Sequence, residues 1–284
     1  MKTKKETPQK HCYINGVILP ENDVKISPHD IGLLRGYGVF DVMRTTEDGT
    51  PFLLDDHWER LKKSAHELEM AIPITKDEFT KTIEALLQRN NMSLASIRTV
   101  LTGGISPDSF SIGKMTFLIM TEKFKKPPKE AYQNGASTIT VDHRRHIPHV
   151  KTINYIVPIR HNSKRNKAKA LEIIYVKDHI VYEASTSNIF IVRKNTLITP
   201  KEKILKGITR KTVLKIASPI MAIEERKMTE NELFHADEVL LTASNKGVVP
   251  VTKINDKKIG NGTVGKHTKN LMKQYNQFIK DYRG

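Results

Sequence analysis

A single cysteine, Cys12, in 284 residues excludes an internal disulfide and any cysteine-based zinc spacing, and it fits a reducing compartment, so the cytoplasm is the expected location. No stretch approaches the roughly 18 consecutive apolar residues that span a membrane, and the basic start of the chain carries no apolar segment of the signal-peptide kind. Secretion and membrane insertion are therefore disfavoured. Acidic residues are scarce, 31 against 47 Lys and Arg, which leaves a formal net charge of +16. Clustered cations would attract nucleic acid. Here they are spread along the chain, aromatics reach only 6%, and no DNA- or RNA-binding signature is present. A basic nucleic-acid-binding protein is the non-enzyme alternative; no nucleic-acid partner is expected. No metal-ligand pattern occurs.

Hydrophobic residues at 38% and charged residues at 27% are ordinary globular usage, and the length calls for two packed domains. Residues 1–11 read as a disordered basic tail. Tyr13 to Ile18 reads as a hairpin across Asn15-Gly16, and a second hairpin is expected from Gly38–Thr45 and Thr50–Leu54. Asp55 or Asp56 can cap a helix carrying Leu61, Ala65 and Leu68. Thr75 with Glu78 forms a capping-box pattern ahead of Phe79, Ile83, Leu86 and Leu87. Strands follow at Ile97–Leu101 and Met115–Thr121. The run of lysines around Pro127-Pro128 marks the boundary near 126. Beyond it the pattern is mainly β: strands at Ala136–Val141, Leu171–Val176, Ile180–Tyr182, Asn188–Val192, Glu238–Thr242 and Val248–Ile254, turns at Asp178-His179 and Lys194-Asn195, a helix near Ile208–Ala217, and a last helix bearing Leu271, Tyr275, Phe278 and Tyr282. The organisation is α+β: a smaller α/β domain over 12–126 and a larger, mainly β domain over 127–284.

Several segments could carry chemistry. Lys151 stands among apolar and small residues, and a desolvated lysine becomes a nucleophile suited to Schiff-base formation. Glu183 ends a strand and is followed by Ala184-Ser185-Thr186-Ser187-Asn188; such a carboxylate could keep a ring nitrogen protonated. Gly207-Ile208-Thr209-Arg210 opens a helix whose first amides could bind phosphate. The turn Thr242-Ala243-Ser244-Asn245 could add donors, and Arg60 could offer a bidentate charge. Taken singly, each also reads as ordinary surface.

Their order resembles that of the class IV (fold-type IV) aminotransferases, which include branched-chain and D-amino-acid transaminases and aminodeoxychorismate lyases. The resemblance runs from about Tyr13 to the C-terminus. It rests on His57 with Arg60, Lys151-x-x-Asn154-Tyr155, Glu183 with Ser187-Asn188-Ile189-Phe190, Gly207-Ile208-Thr209-Arg210 and the Thr242 turn. It implies a two-domain fold-type IV architecture with a pseudo-barrel C-terminal domain, pyridoxal 5'-phosphate as cofactor, a homodimer, and a site between the domains. It further implies that Lys151 binds the cofactor covalently and shuttles the proton, Tyr155 bonds its phenolic oxygen, Glu183 pairs with the pyridine nitrogen, Leu205 packs on the ring, and Arg60, Ile208, Thr209, Ala243 and Ser244 hold the phosphate.

The small-molecule substrates implied are an amino acid and a 2-oxo acid. Where the best-known D-amino-acid transaminases carry an Arg and a His as a carboxylate trap, this chain has Asp108 and Phe110. A second D-specific group is similar in Leu34-Arg35-Gly36-Tyr37-Gly38-Val39-Phe40-Asp41, in Ile97-Arg98 and in Leu101-Thr102-Gly103-Gly104. That similarity implies that Arg35 and Arg98 bind substrate carboxylates, with Phe40 also at the substrate. Val39-Phe40-Asp41 with Arg44 also looks like a branched-chain transaminase block, in which case the donor would be a branched-chain L-amino acid; an elimination of the lyase type is the third possibility.

Overall fold

The computed structural model describes residues 9–284, so most of the expected tail lies outside the described residues. His11, placed at the tail's end by its sequence, opens the first strand, its backbone N–H donating to Asn90 Oδ1 at 2.7 Å. Two compact units result. One comprises the chain up to Lys125 with Lys151–Asn154 and Arg283–Gly284; the other comprises Lys126–Val150 and Tyr155–Tyr282. Lys151–Asn154 thus fall in the first unit, whereas the sequence reading places them in the 127–284 domain.

In the first unit β1 (His11–Ile14), β2 (Val17–Pro20), β3 (Gly38–Arg44), β4 (Ala95–Ile105) and β5 (Lys114–Lys123) form an antiparallel sheet in the order β2-β1-β5-β4-β3. Asn15 and Gly16 take φ of 48° and 100°, the left-handed pair that a two-residue hairpin turn requires. Three helices belong to this unit, α1 (Ile31–Arg35), α2 (Leu54–His66) and α3 (Lys76–Arg89). The period of two along β3 puts Asp41 and Met43 in the interior, where α2 packs, and leaves half-buried Phe40 and Val42 on the other face, opposite Val100 and Arg98. Phe79, Ile83, Leu86 and Leu87 are all buried on α3, as the helical spacing predicts, and Phe79 packs on Trp58 with ring centroids 5.0 Å apart. The capping box is present: Glu78 N donates to Thr75 Oγ1 and Thr75 N to Glu78 Oε2.

The second expected hairpin does not form. Pro51 makes only an isolated bridge with Thr45, Leu53 turns at a φ of 55°, and Leu54 already begins α2, so β3 pairs with β4 instead. The helix N-cap is accordingly Leu53, with Asp55 and Asp56 in the first turn, where their charge suits the dipole.

The second unit contains α4 (Lys129–Gln133), β6 (Ala136–Asp142), α5 (Ile156–Arg160), α6 (Asn162–Lys167), β7 (Glu172–Lys177), β8 (Ile180–Ala184), β9 (Asn188–Arg193), β10 (Thr196–Thr199), α7 (Ile208–Ala217), β11 (Ala222–Glu225), β12 (Met228–Thr229), α8 (Glu230–Phe234), β13 (Glu238–Ala243), β14 (Gly247–Ile254), β15 (Lys257–Lys258) and α9 (Lys266–Asp281). Its sheet runs β11-β10-β9-β13-β14-β6-β7-β8-β12, with β15 added to β14. β6 is parallel to both β14 and β7, so the chain between β6 and β7 must cross over. The short helices α5 and α6, not foreseen from sequence, lie in that connection. Asp178-His179 and Lys194-Asn195 both adopt positive φ as expected of hairpin turns. Ile174, Val181, Ile189, Ile191, Val239 and Leu241 form one continuous core. Leu271, Tyr275 and Ile279 are buried on α9, while Tyr282 stands just past its end as the C-cap. Among the described residues no helix is long and apolar enough to cross a membrane.

Leu86 is fully buried and Thr75 is exposed apart from its cap. Leu86→Ala should cost about 3 kcal/mol of unfolding free energy, and Thr75→Ala about 1 kcal/mol. Urea denaturation checks both; equal costs would contradict this packing.

Candidate active site

Lys151 is held by its backbone. Phe40 N donates to Lys151 O at 3.0 Å, Ile153 N to Gly38 O at 3.0 Å, and Lys151 N to Ser64 Oγ at 3.3 Å, so the segment is laid along the edge of β3. Val39 and Thr152 complete the pairing as an antiparallel bridge. The Lys151 ammonium lies 4.4 Å from the centre of the Phe40 ring, and the Arg98 guanidinium carbon 5.9 Å from it, both within cation–π reach. Arg98 Nη2 is 3.7 Å from Glu122, a loose pair on a partly exposed side chain.

Behind Phe40, on the buried side of β3, Asp41 accepts from Arg60 Nε at 2.7 Å, from Arg60 Nη2 at 2.8 Å and from His57 Nδ1 at 2.6 Å. A carboxylate cannot donate, so this neutral His57 carries its proton on Nδ1. Burial opposes ionisation of Asp41, yet Arg60 and His57 together hold its carboxyl well below the usual range. Burial lowers the pKa of His57, and Asp41 offsets that only in part. Arg60 therefore reaches its place already oriented by two hydrogen bonds. Arg44 is buried too, but it stacks on Phe124 at 4.2 Å and donates to Thr45 O.

Arg35 ends α1, with its guanidinium 5.1 Å from the centre of the exposed Phe110 ring. Phe110 is presented by a loop that Asp108 organises, accepting from Phe110 N at 2.9 Å, Ser111 N at 2.7 Å and Ser111 Oγ at 2.7 Å. The Asp and Phe that stand in the usual trap positions thus build one contact of Arg35.

In the second unit Glu183 is buried, accepting from Arg145 Nε at 2.7 Å and from Leu205 N at 3.0 Å. Arg145 also donates to Val150 O at 2.9 Å and to Pro148 O. One guanidinium thereby ties Glu183 to the carbonyl that immediately precedes Lys151 in the chain. Sequence reading missed Arg145, which carries no local motif. Tyr175 is buried, and burial pushes its hydroxyl pKa up, with Tyr155 and then Glu172 and Glu183 acting in the same direction; Tyr155 and Glu183 therefore share this neighbourhood.

Asn188 clamps the approach to α7: its Nδ2 donates to Leu205 O at 2.7 Å and its Oδ1 accepts from Gly207 N at 3.1 Å. A Cβ at Gly207 would lie 2.1 Å from that oxygen, so only glycine fits. The first turn of α7, with buried Ile208 and Thr209, has neither a side-chain cap nor an acidic residue. By contrast α9 is capped by Glu238, which accepts from His267 N at 3.1 Å and Thr268 N at 2.7 Å. Tyr275 joins α7 to the β13–β14 turn: its hydroxyl is 3.5 Å from Thr209 Oγ1, and its ring edge is 3.1 Å from where a Gly247 Cβ would stand. Within that turn region Thr242 Oγ1 is buried and has no hydrogen-bond partner among the described residues. Uncapped helix amides beside an unsatisfied buried hydroxyl are what an anion would complete. The residues of this unit fit the phosphate and pyridine nitrogen of the cofactor expected from sequence. Ala243 and Ser244 stand, half-buried, at the end of β13 and in its turn. Ser185, Thr186 and Ser187 are not directed to such a group; they bond Glu172. Lys151, Arg60, Phe40, Arg35 and Arg98 belong to the first unit; Tyr155, Glu183, Leu205, Ile208, Thr209, Ala243 and Ser244 belong to the second.

Residues 38–254 match the protein family described as amino-transferase class IV. A putative branched-chain-amino-acid aminotransferase of Methanocaldococcus jannaschii is 36% identical over 93% of this chain and 94% of its own length. A D-alanine aminotransferase of Bacillus licheniformis is 32% identical over 90% and 93%. A solved structure of the T.th. branched-chain amino acid aminotransferase with pyridoxamine 5'-phosphate superposes with a TM-score of 0.89 at 27% identity, covering 97% of this chain and 95% of that one.

The lowered pKa values of His57 and Asp41 have a consequence for stability. Both groups hold fewer protons in the folded than in the unfolded chain, so their contributions are complete above the unfolded pKa and are lost as pH falls. For His57 the loss begins as pH drops through its ordinary value of 6.5. His57→Gln keeps a donor for Asp41 but cannot take up the proton. Unfolding free energies measured from pH 7 to pH 5 should fall less steeply in that variant; an unchanged slope would contradict a neutral His57.

Proposed function

Because the chain belongs to the class IV aminotransferases, we propose that it is a pyridoxal-phosphate-dependent transaminase moving an amino group from an amino acid, of the D-alanine or D-glutamate type, to a 2-oxo acid such as 2-oxoglutarate. The observation that carries this reading is the double restraint on Lys151: its backbone is paired to β3, and the carbonyl before it is bonded to the arginine that holds Glu183.

Bound pyridoxal phosphate supplies an aldehyde carbon for amines and a ring that takes up the electrons left when an α-proton departs. Lys151 Nζ is the attachment point and, once the substrate amine has displaced it, the base that removes the α-proton and returns it to the cofactor's side. Glu183 keeps the ring nitrogen protonated, and Arg145 keeps that carboxylate oriented and charged. Tyr155 donates to the phenolic oxygen. Leu205, fixed by Asn188, supports the ring. Arg60, the amides of Ile208 and Thr209, and Ala243 and Ser244 take the phosphate. Arg98, which shares the Phe40 ring with Lys151, and Arg35 bind the substrate carboxylates. The exposed apolar side chains of Leu33, Ile105, Phe110, Ile156 and Ile159 support a homodimer, and the single cysteine supports a cytoplasmic location.

A branched-chain L-amino acid is the second reading, favoured by the 36% identical relative and by the half-buried Val42, Val100, Leu118 and Met120 on the Phe40 side of the sheet. Single-turnover reactions of the loaded enzyme with D-alanine, D-glutamate, L-leucine and L-isoleucine, followed by loss of the cofactor's absorbance band, separate the two. D-alanine or D-glutamate should react faster, and a faster L-leucine reaction would overturn the D-specific reading. Lys151→Ala should lower turnover by roughly 10⁴-fold or more, the scale on which losing a covalent catalyst is felt. Activity within tenfold of the wild type would refute its role.

A further inference from the structure

The second unit holds a buried ion pair that none of the motifs above uses. Glu172, the first residue of β7, and Lys246, in the β13–β14 turn, are 3% and 9% exposed, with Nζ 2.5 Å from Oε1. The same carboxylate accepts from Ser185 Oγ at 2.7 Å, Thr186 N at 3.1 Å, Ser187 Oγ at 3.2 Å and the Thr186 hydroxyl. The Lys246 ammonium also donates to Thr186 Oγ1 at 2.5 Å, and the Lys246 carbonyl accepts from Tyr132. Burial works against the Glu172 charge, but Lys246 and the hydroxyls around it keep its pKa below the ordinary range, so the pair is ionised.

Such a pair is a poor source of stability, because the cost of taking two charges out of water roughly cancels their attraction. Its effect is geometric. The loop 185–187 that it grips runs between Glu183 and Asn188, the residue that clamps Leu205 and Gly207. The turn that it grips from the other side carries Ala243 and Ser244. A single carboxylate thus fixes, in one arrangement, the segments that bear the ring-nitrogen carboxylate, the α7 first turn and the second phosphate turn.

Resting on the transaminase reading above, we propose that Glu172 and Lys246 are positioning residues for the cofactor's phosphate group, setting the β13–β14 turn against the first turn of α7. Loss of an outer partner that orients metal ligands typically costs about 10- to 100-fold in affinity, and the same scale is expected here.

The test is equilibrium dialysis of the full-length apoprotein against pyridoxal phosphate and, separately, pyridoxal, which lacks the phosphate. Glu172→Gln and Lys246→Met should each weaken pyridoxal phosphate at least about tenfold while changing pyridoxal less than about twofold, and the double variant should be no worse than the weaker single one because the two side chains act as one unit. Parallel loss of both ligands would mean a merely structural role and would overturn the proposal, as would unchanged phosphate-ligand affinity. Should Glu172→Gln lack a cooperative melting transition, Thr186→Val, which removes one bond from each charge, must show the same phosphate-selective loss or the proposal fails. A wild-type protein that bound neither ligand would instead bring down the transaminase reading on which the proposal stands.

Discussion

The organisation of this protein depends on how four residues, Lys151–Asn154, are taken up by the edge of β3. Two backbone hydrogen bonds and an isolated bridge attach this segment to Gly38, Val39 and Phe40, so the lysine leaves a rigid sheet edge and not a free loop. A flexible lysine pays rotamer entropy each time it is positioned, whereas one whose backbone is pinned has fewer states to lose. The same β3 strand, by its alternation, turns Phe40 toward the Lys151 ammonium and Asp41 toward His57 and Arg60. One strand therefore serves both the attachment lysine and the arginine proposed for the phosphate.

A second feature is the handling of buried carboxylates. Asp41, Glu172 and Glu183 are all nearly inaccessible, and each is satisfied by a cation together with further donors: Arg60 and His57 for Asp41, Lys246 and three hydroxyl side chains for Glu172, Arg145 and the Leu205 amide for Glu183. An unpaired buried charge would cost several kcal/mol, so these groups fix geometry only as complete sets. They are also the groups that acid attacks first, since protonating any carboxylate leaves its cation unmatched.

Local patterns were readable from the sequence where the physics is local. The Thr75–Glu78 capping box, the Asn15-Gly16 turn and the helix Ile208–Ala217 all depend on residues within a few positions of each other, and each stands where the sequence places it. Thr50–Leu54 shows the limit: its strand-like residues are overridden by Pro51, which has no N–H to donate, and by the start of α2. The partners that orient the candidate site were not legible, because no spacing rule joins Asp41 to Arg60 across 19 residues, Arg145 to Glu183 across 38, or Glu172 to Lys246 across 74. The serine- and threonine-rich run 185–187 looked like a set of donors for a ligand; its hydroxyls serve a carboxylate instead. The order of whole motifs was legible, because a shared cofactor imposes that order on the chain.

The most direct measurement of the central claim is chemical. Protein loaded with pyridoxal phosphate is reduced with borohydride, digested and mapped by mass spectrometry. One pyridoxyl-phosphate adduct is expected, on the peptide containing Lys151, and it should be absent when an amino donor is added before reduction. Modification spread over surface lysines, or an adduct on another lysine with Lys151 unmodified, would contradict the assignment of Lys151.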